Sequence, residues 1–110
     1  MKPLSLLKLL FVPILVLGLE GCEAMKSGAP PVSPEMVRAA TASGESMETL
    51  VEGRRLLAAR CTGCHALEPI SNYTPAEWRT NVRSMADRSG LTGAEEQQIV
   101  SYLVAARESM

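Results

Sequence analysis

The sequence predicts an all-α domain of about three helices, which extends from residue 47 to residue 110. Two segments start with a threonine followed three residues later by a glutamate, at Thr74–Glu77 and at Thr92–Glu95. Such a capping box satisfies backbone N–H groups at a helix start, because each side chain accepts a hydrogen bond from the other residue's N–H. Apolar residues recur at helical spacing after both boxes and in a third segment before them, and no segment has a convincing strand pattern.

The first helix of this domain is predicted to begin at Met47, with Ser46 as its N-cap. Four residues at helical spacing share one of its faces, namely Leu50, Gly53, Leu57 and Cys61. A glycine inside a helix costs about 1 kcal/mol relative to alanine. Gly53 is therefore expected to lie where a second helix approaches closely.

The second helix is predicted to start at Pro75, because proline suits the first position of a helix, and to end at Ser89-Gly90. One apolar stripe runs along it, formed by Trp78, Val82 and Met85. The third helix is predicted to run to about Glu108. Its inner face carries Ile99, Tyr102, Leu103 and Ala106.

The pentapeptide Cys61-Thr62-Gly63-Cys64-His65 has the C-x-x-C-H pattern of covalent haem attachment. Two thiols at this spacing add across the two vinyl groups of a haem, and His65 follows at once as the proximal iron ligand. A redox dithiol would need strands around it, and a zinc site would need a second cysteine pair or histidine, which the chain lacks. The motif occurs once and therefore predicts one covalently bound haem c.

The loop after the motif and the arginines of the second helix give further expectations about the haem site. The backbone carbonyl of Pro69 is expected to accept a hydrogen bond from the second ring nitrogen of His65 and so to orient the ligand. Arg79 and Arg83 either pair with haem propionates, since guanidinium groups suit carboxylates, or belong to a solvent-exposed face.

Residues 1–21 are predicted to be a secretory signal peptide, because Met1-Lys2 gives a positive start to an apolar run. That run is too short and too interrupted for a membrane span of roughly 20 apolar residues. It ends at Leu19-Glu20-Gly21-Cys22, which resembles a bacterial lipobox, so Cys22 is predicted to receive lipid. The alternative is an uncleaved membrane anchor. Either interpretation places the domain on the periplasmic side of a bacterial membrane, and Glu23 favours the outer membrane.

Residues 22–46 are predicted to be a flexible lipidated tether, because alanine, serine, glycine and proline dominate them. Within this segment Ser33 is a candidate cap and Pro34 suits a first helical position, which predicts a short helix through Ala40. The net charge of −1 and the pI of about 5.8 give no sign of nucleic-acid binding.

The residues around the haem motif resemble the class I c-type cytochromes, in the compact bacterial form. The resemblance covers residues 53–103 and rests on Gly53, Leu57, Cys61, Cys64, His65, Ile99, Tyr102 and Leu103. It implies a small cytochrome c fold, in which about three helices pack around one covalently bound haem. It also implies that Tyr102 packs over Gly53 where the N-terminal and C-terminal helices of the domain cross.

The same resemblance implies Met85 as the second axial ligand, 17 positions before Tyr102. Only 19 residues separate His65 from Met85, fewer than in the mitochondrial members of the family. The alternative for Met85 is a core methionine on the Trp78 stripe.

Together these features predict a membrane-tethered electron carrier rather than an enzyme, with redox proteins as its partners. Two axial ligands, His65 and Met85, would leave the iron no open position. One alternative is a cytochrome subunit of a larger dehydrogenase or respiratory complex. The other is a gas-sensing or peroxidase-like haem site, which requires that Met85 does not bind the iron.

Overall fold

The computed structural model describes residues 28–61 and 67–110, and within them it contains four α-helices and no strand. The helices are α1 (Pro34–Ala42), α2 (Met47–Cys61), α3 (Pro75–Ser89) and α4 (Gly93–Glu108), with a 3-10 turn at Ile70–Asn72. The predicted all-α class is confirmed for this part of the chain, with one helix more than expected in the core. No helix in the described ranges is both long and apolar enough to cross a membrane.

The central element is α4, because it packs against each of the other helices and against the 3-10 turn. Its inner face is almost completely buried, and the predicted residues Ile99, Tyr102, Leu103 and Ala106 all lie in the core. Leu50 and Leu56 of α2 are equally inaccessible to solvent. The core is therefore centred on the contact between α2 and α4.

Gly53 lies where α2 and α4 cross at close range. A Cβ atom at this position would collide with the backbone carbonyl of Gln98, lying 2.7 Å from its carbon. The same atom would lie 3.0 Å from the Cβ of Tyr102. The close helix approach expected at Gly53, with Tyr102 packed over it, is confirmed.

Both capping boxes form as predicted. The backbone N–H of Glu77 donates to Thr74 Oγ1 at 3.2 Å, and that of Thr74 donates to Glu77 Oε1 at 2.9 Å. The pair at the start of α4 has the same reciprocal bonds, at 3.1 and 3.0 Å. Gly90 ends α3 in the left-handed conformation, with φ of 66°.

For residues 28–46, the described part of the predicted tether, the structure differs from the prediction of a flexible segment. The short helix at Ser33 is present as α1, since Ser33 Oγ accepts from the backbone N–H of Met36 at 3.2 Å. However, α1 packs on α4, and Ala29, Met36 and Ala40 are buried. Met36 and Ala40 are four positions apart on one face of α1, so this helix has an apolar stripe that α4 covers. Residues 28–46 therefore belong to the folded domain.

Residues 28–32, which we call the N-terminal strap, are attached to the domain by two side chains of its core helices. Arg54 Nε donates to the backbone carbonyls of Ala29 and Pro30 at 2.9 and 3.1 Å. The hydroxyl of Tyr102 donates to the carbonyl of Pro30 at 2.5 Å. The predicted signal peptide at 1–21 and the lipid site at Cys22 lie outside the described residues.

Candidate haem site

A pocket lies between α2 and α3, and we call it the apolar pocket. Both helices pack on α4 but have few direct contacts with each other, which leaves a gap over the middle of α4. The gap holds about 490 Å³ of empty space, part of it open to solvent. Its described lining consists of Leu57, Cys61, Leu67, Glu68, Trp78, Val82, Met85, Leu91 and Leu103. Glu68 is the one charged side chain in this described lining, so the pocket suits a mainly apolar group.

Cys61, the first cysteine of the C-x-x-C-H motif, lies at the C-terminal end of α2 and lines the apolar pocket. Its side chain is partly buried, and this burial raises the pKa of the thiol because desolvation disfavours the thiolate. The sulfur is therefore held as a neutral S–H against an apolar cavity. Cys64 and His65 lie outside the described residues, and their predicted roles stay predictions.

Met85 lines the same pocket from α3. It continues the predicted stripe beyond Trp78 and Val82, which are 6% and 4% exposed, but it is less buried than either. The structure therefore brings together two of the residues that the sequence proposes for haem binding, one from each wall of the gap.

The other described methionines do not compete with Met85 for this position. Met36 is buried beneath α1, while Met47 and Met110 are 52% and 65% exposed. None of the three lines the apolar pocket. Among the methionines that the structure describes, Met85 is thus the one that a group in the pocket could reach.

Trp78 connects the loop that follows the C-x-x-C-H motif to the pocket wall. Its indole Nε1 donates to the carbonyl of Ile70 at 2.9 Å. The ring of Tyr73 meets the indole edge to face, with centroids 5.0 Å apart and planes at 76°. Arg107 Nε in turn donates to the carbonyl of Tyr73 at 3.0 Å. These contacts hold residues 70–73 against α3 and α4.

The Pro69 carbonyl, expected to orient His65, accepts the backbone N–H of Asn72 at 3.0 Å in the 3-10 turn. His65 lies outside the described residues, and its hydrogen bond to this carbonyl stays a prediction. Neither Arg79 nor Arg83 lines the apolar pocket. Arg83 is 80% exposed and pairs with Glu96 at 3.1 Å, so the solvent-exposed alternative is favoured for it.

Leu91 is a pocket residue that the sequence analysis did not identify. Its backbone N–H donates to the carbonyl of Ala86 at 3.0 Å, and the N–H of Gly90 donates to that of Asp87 at 3.4 Å. This is the Schellman pattern, in which the residue after the glycine makes an apolar contact back onto the helix. The sequence Ser89-Gly90-Leu91 carries that signal and predicts an inward-facing leucine.

Comparison of the chain with known protein families, curated proteins and solved structures found no match. Within residues 28–61 and 67–110, no group of three or more His, Cys, Asp or Glu side chains is placed to hold a metal ion.

Proposed function

We propose that the chain is a membrane-tethered monohaem c-type cytochrome that transfers single electrons between redox partner proteins. Cys61 and Cys64 would attach one haem c, and His65 and Met85 would bind its iron. The observation that carries the proposal is that Cys61 and Met85 line one apolar pocket. These two residues are 24 positions apart in the chain and lie on different helices.

The chemistry of the donor set fits this cofactor. In the attachment reaction the S–H bond of each thiol adds across one vinyl C=C bond, the sulfur bonding to one carbon and the hydrogen to the other. No electron acceptor is needed and nothing leaves. The position of Cys61 at the edge of the apolar pocket supports this proposal.

A bound haem would supply an iron that gains and loses one electron, and the pocket residues would determine at what potential this happens. The thioether of Met85 favours the reduced state, because thioether sulfur is a weak donor to Fe(III). Leu57, Val82 and Leu103 present apolar surface to the cavity, and apolar surroundings also disfavour extra positive charge there. The carboxylate of Glu68 acts in the opposite direction by stabilising the oxidised state.

The proposed location rests on the N-terminal sequence. A lipid on Cys22 would hold the domain on the periplasmic side of a bacterial membrane, with the outer membrane favoured by Glu23. Because the carrier would stay at that surface, its redox partners would be proteins that reach the same surface.

The first test is whether haem is covalently bound. The full chain is produced in a bacterium that attaches haem in its periplasm, and the purified protein is extracted with acidified organic solvent. We expect the haem to stay on the polypeptide and the reduced protein to have the sharp absorption bands of low-spin haem c. The double variant Cys61→Ser/Cys64→Ser should lose the haem, whereas Cys22→Ser should keep it. Complete extraction of haem from the parent protein would refute the proposal.

The second test concerns the ligand role of Met85. The oxidised parent protein should have the weak sulfur-to-iron band of methionine ligation, and Met85→Ala should lose it. Met47→Ala is the matched control, because Met47 is exposed and does not line the pocket. Rapid carbon monoxide binding by the reduced parent would instead favour the sensor or peroxidase-like alternative. Stable co-purification with another redox protein would favour the complex-subunit alternative.

A further inference from the structure

A second groove lies beside the N-terminal strap, and we call it the strap groove. Its described lining contains no charged side chain and consists of Gly28, Pro30, Pro31, Pro69, Ile70, Ser71 and Met110. The groove holds about 820 Å³ of empty space, part of it open to solvent. Met110, which is 65% exposed, and the three prolines present apolar surface to the outside. The side chains that line this groove are uncharged and mostly apolar, so the groove suits contact with apolar groups.

The position of the groove in the chain indicates what it contacts. Gly28 is six residues after Cys22, the proposed lipid site. A chain spans at most about 3.3–3.6 Å per residue, so Gly28 cannot lie farther than roughly 20 Å from Cys22. The strap cannot extend this reach by detaching freely, because Arg54 and Tyr102 bind its carbonyls. A lipid on Cys22 would therefore keep the strap groove close to the bilayer.

We propose that the strap groove is the face of the domain that rests on the lipid bilayer. The inference rests on the lipid attachment of the proposed function and adds an orientation to it. The contact would bury the proline and methionine side chains of the described lining at the level of the lipid headgroups.

This orientation also positions the apolar pocket. One loop serves both cavities, since Leu67 and Glu68 line the apolar pocket while Pro69 and Ser71 line the strap groove. The strap touches the same loop, because a Cβ at Gly28 would lie 3.0 Å from the Cβ of Leu67. The apolar pocket would thus lie close to the bilayer, with residues 67–71 between them. Redox partners whose own electron-transfer sites are at the membrane surface could then reach it.

The chain contains a matched pair of probes for this orientation. Met110 lines the strap groove and Met47 does not, and both are exposed. The full-length lipidated protein is placed in vesicles of phosphatidylethanolamine and phosphatidylglycerol and is exposed briefly to hydroxyl radicals made in the bulk water. Mass spectrometry then gives the oxidation of each methionine, and the same spectra give the mass of the N-terminal peptide. We expect oxidation of Met110 to fall severalfold relative to Met47 when the protein moves from lipid-free solution to vesicles.

Two variants make the test specific. Pro31→Glu places a charge in the groove at an exposed position and should restore oxidation of Met110. Thr41→Glu adds the same charge at an exposed position outside the groove and should leave the protection unchanged. Equal oxidation of Met110 and Met47 on vesicles, in protein whose N-terminal peptide carries lipid, would overturn the orientation alone. Protection that grows with protein density on the vesicle would assign the groove to a second copy and also overturn it. An N-terminal peptide without lipid would overturn the anchor and the orientation together, while the haem spectrum would still test electron transfer.

Discussion

Replacing Gly53 by alanine should destabilise the domain, although alanine is the better helix former. The new Cβ would lie 2.7 Å from the carbonyl carbon of Gln98 and 3.0 Å from the Cβ of Tyr102. Carbon atoms in contact normally lie about 3.5–4.0 Å apart, so α2 and α4 would have to separate by roughly 1 Å. The obstructing atoms include backbone, which cannot rotate away. Overpacking of this kind costs about 1–3 kcal/mol, and a backbone collision belongs at the upper end.

The helix propensity of alanine offsets about 1 kcal/mol of this cost. The free energy of unfolding of Gly53→Ala should therefore fall by about 2 kcal/mol, which corresponds to a decrease in Tm of roughly 10 °C for a domain of this size. Urea denaturation of the haem-loaded protein, followed by circular dichroism, measures the change. Gly93→Ala is the control, because no atom lies within 4 Å of the Cβ it would introduce. If Gly53→Ala proved as stable as Gly93→Ala, the close crossing of α2 and α4 would be wrong.

Three further predictions concern the apolar pocket, the loop beside it and the N-terminal strap. If haem is bound as proposed, Glu68→Gln should raise the reduction potential by roughly tens of millivolts, because it removes a negative charge that would stabilise the oxidised state. Redox titration measures this, and an unchanged potential would show that Glu68 does not act on the iron. Trp78→Phe should lower the free energy of unfolding by about 1–3 kcal/mol, since the buried carbonyl of Ile70 loses its donor, and denaturation by urea with no such loss would contradict the role of that bond. Burial raises the pKa of Tyr102 to about 12, above the value of about 10 for an exposed phenol. The folded protein therefore keeps a proton that the unfolded chain loses, so the stability should fall as the pH rises from about 10 to about 12. Tyr102→Phe should have a smaller decrease over this interval, and equal decreases in both proteins would exclude Tyr102 as the cause.

Hydrogen bonds between residues close in the chain were predictable from the sequence, whereas packing between distant segments was predictable only in part. The caps at Thr74 and Thr92 involve residues three positions apart, and the short sequence around each cap is enough to predict these hydrogen bonds. The prediction for Gly53 was confirmed. A glycine destabilises a helix, so it needs a compensating contact, and the family resemblance identified Tyr102 as the residue in that contact. By contrast, the burial of Ala29 and Met36 depends on the surface of α4, which is distant in the chain. The small-residue composition of residues 22–46 suggested a tether because no local feature identifies that partner surface.

The sequence identified two reactive residues of the candidate site but not all of the apolar residues that line it. Cys61 was proposed from the C-x-x-C-H pattern and Met85 from the family resemblance, and both line the apolar pocket. Leu67 and Leu91 have no such chemistry, and their place in the pocket follows from how two loops close onto α4. Only the Schellman turn before Leu91 left a trace in the sequence.

The central position of α4 determines the order in which this domain can assemble. This helix is synthesised after α1, α2 and α3, yet each of them packs on it, and the bond from Tyr102 to Pro30 joins residues 72 positions apart. Contacts of such long range form only once the intervening chain is available. We therefore expect the chain to have no hydrophobic core until α4 has left the ribosome. On the proposed function, the same holds until α4 has emerged from the membrane. During that interval the C-x-x-C-H motif would stay accessible to haem attachment, and the arrival of α4 would close the pocket around the cofactor.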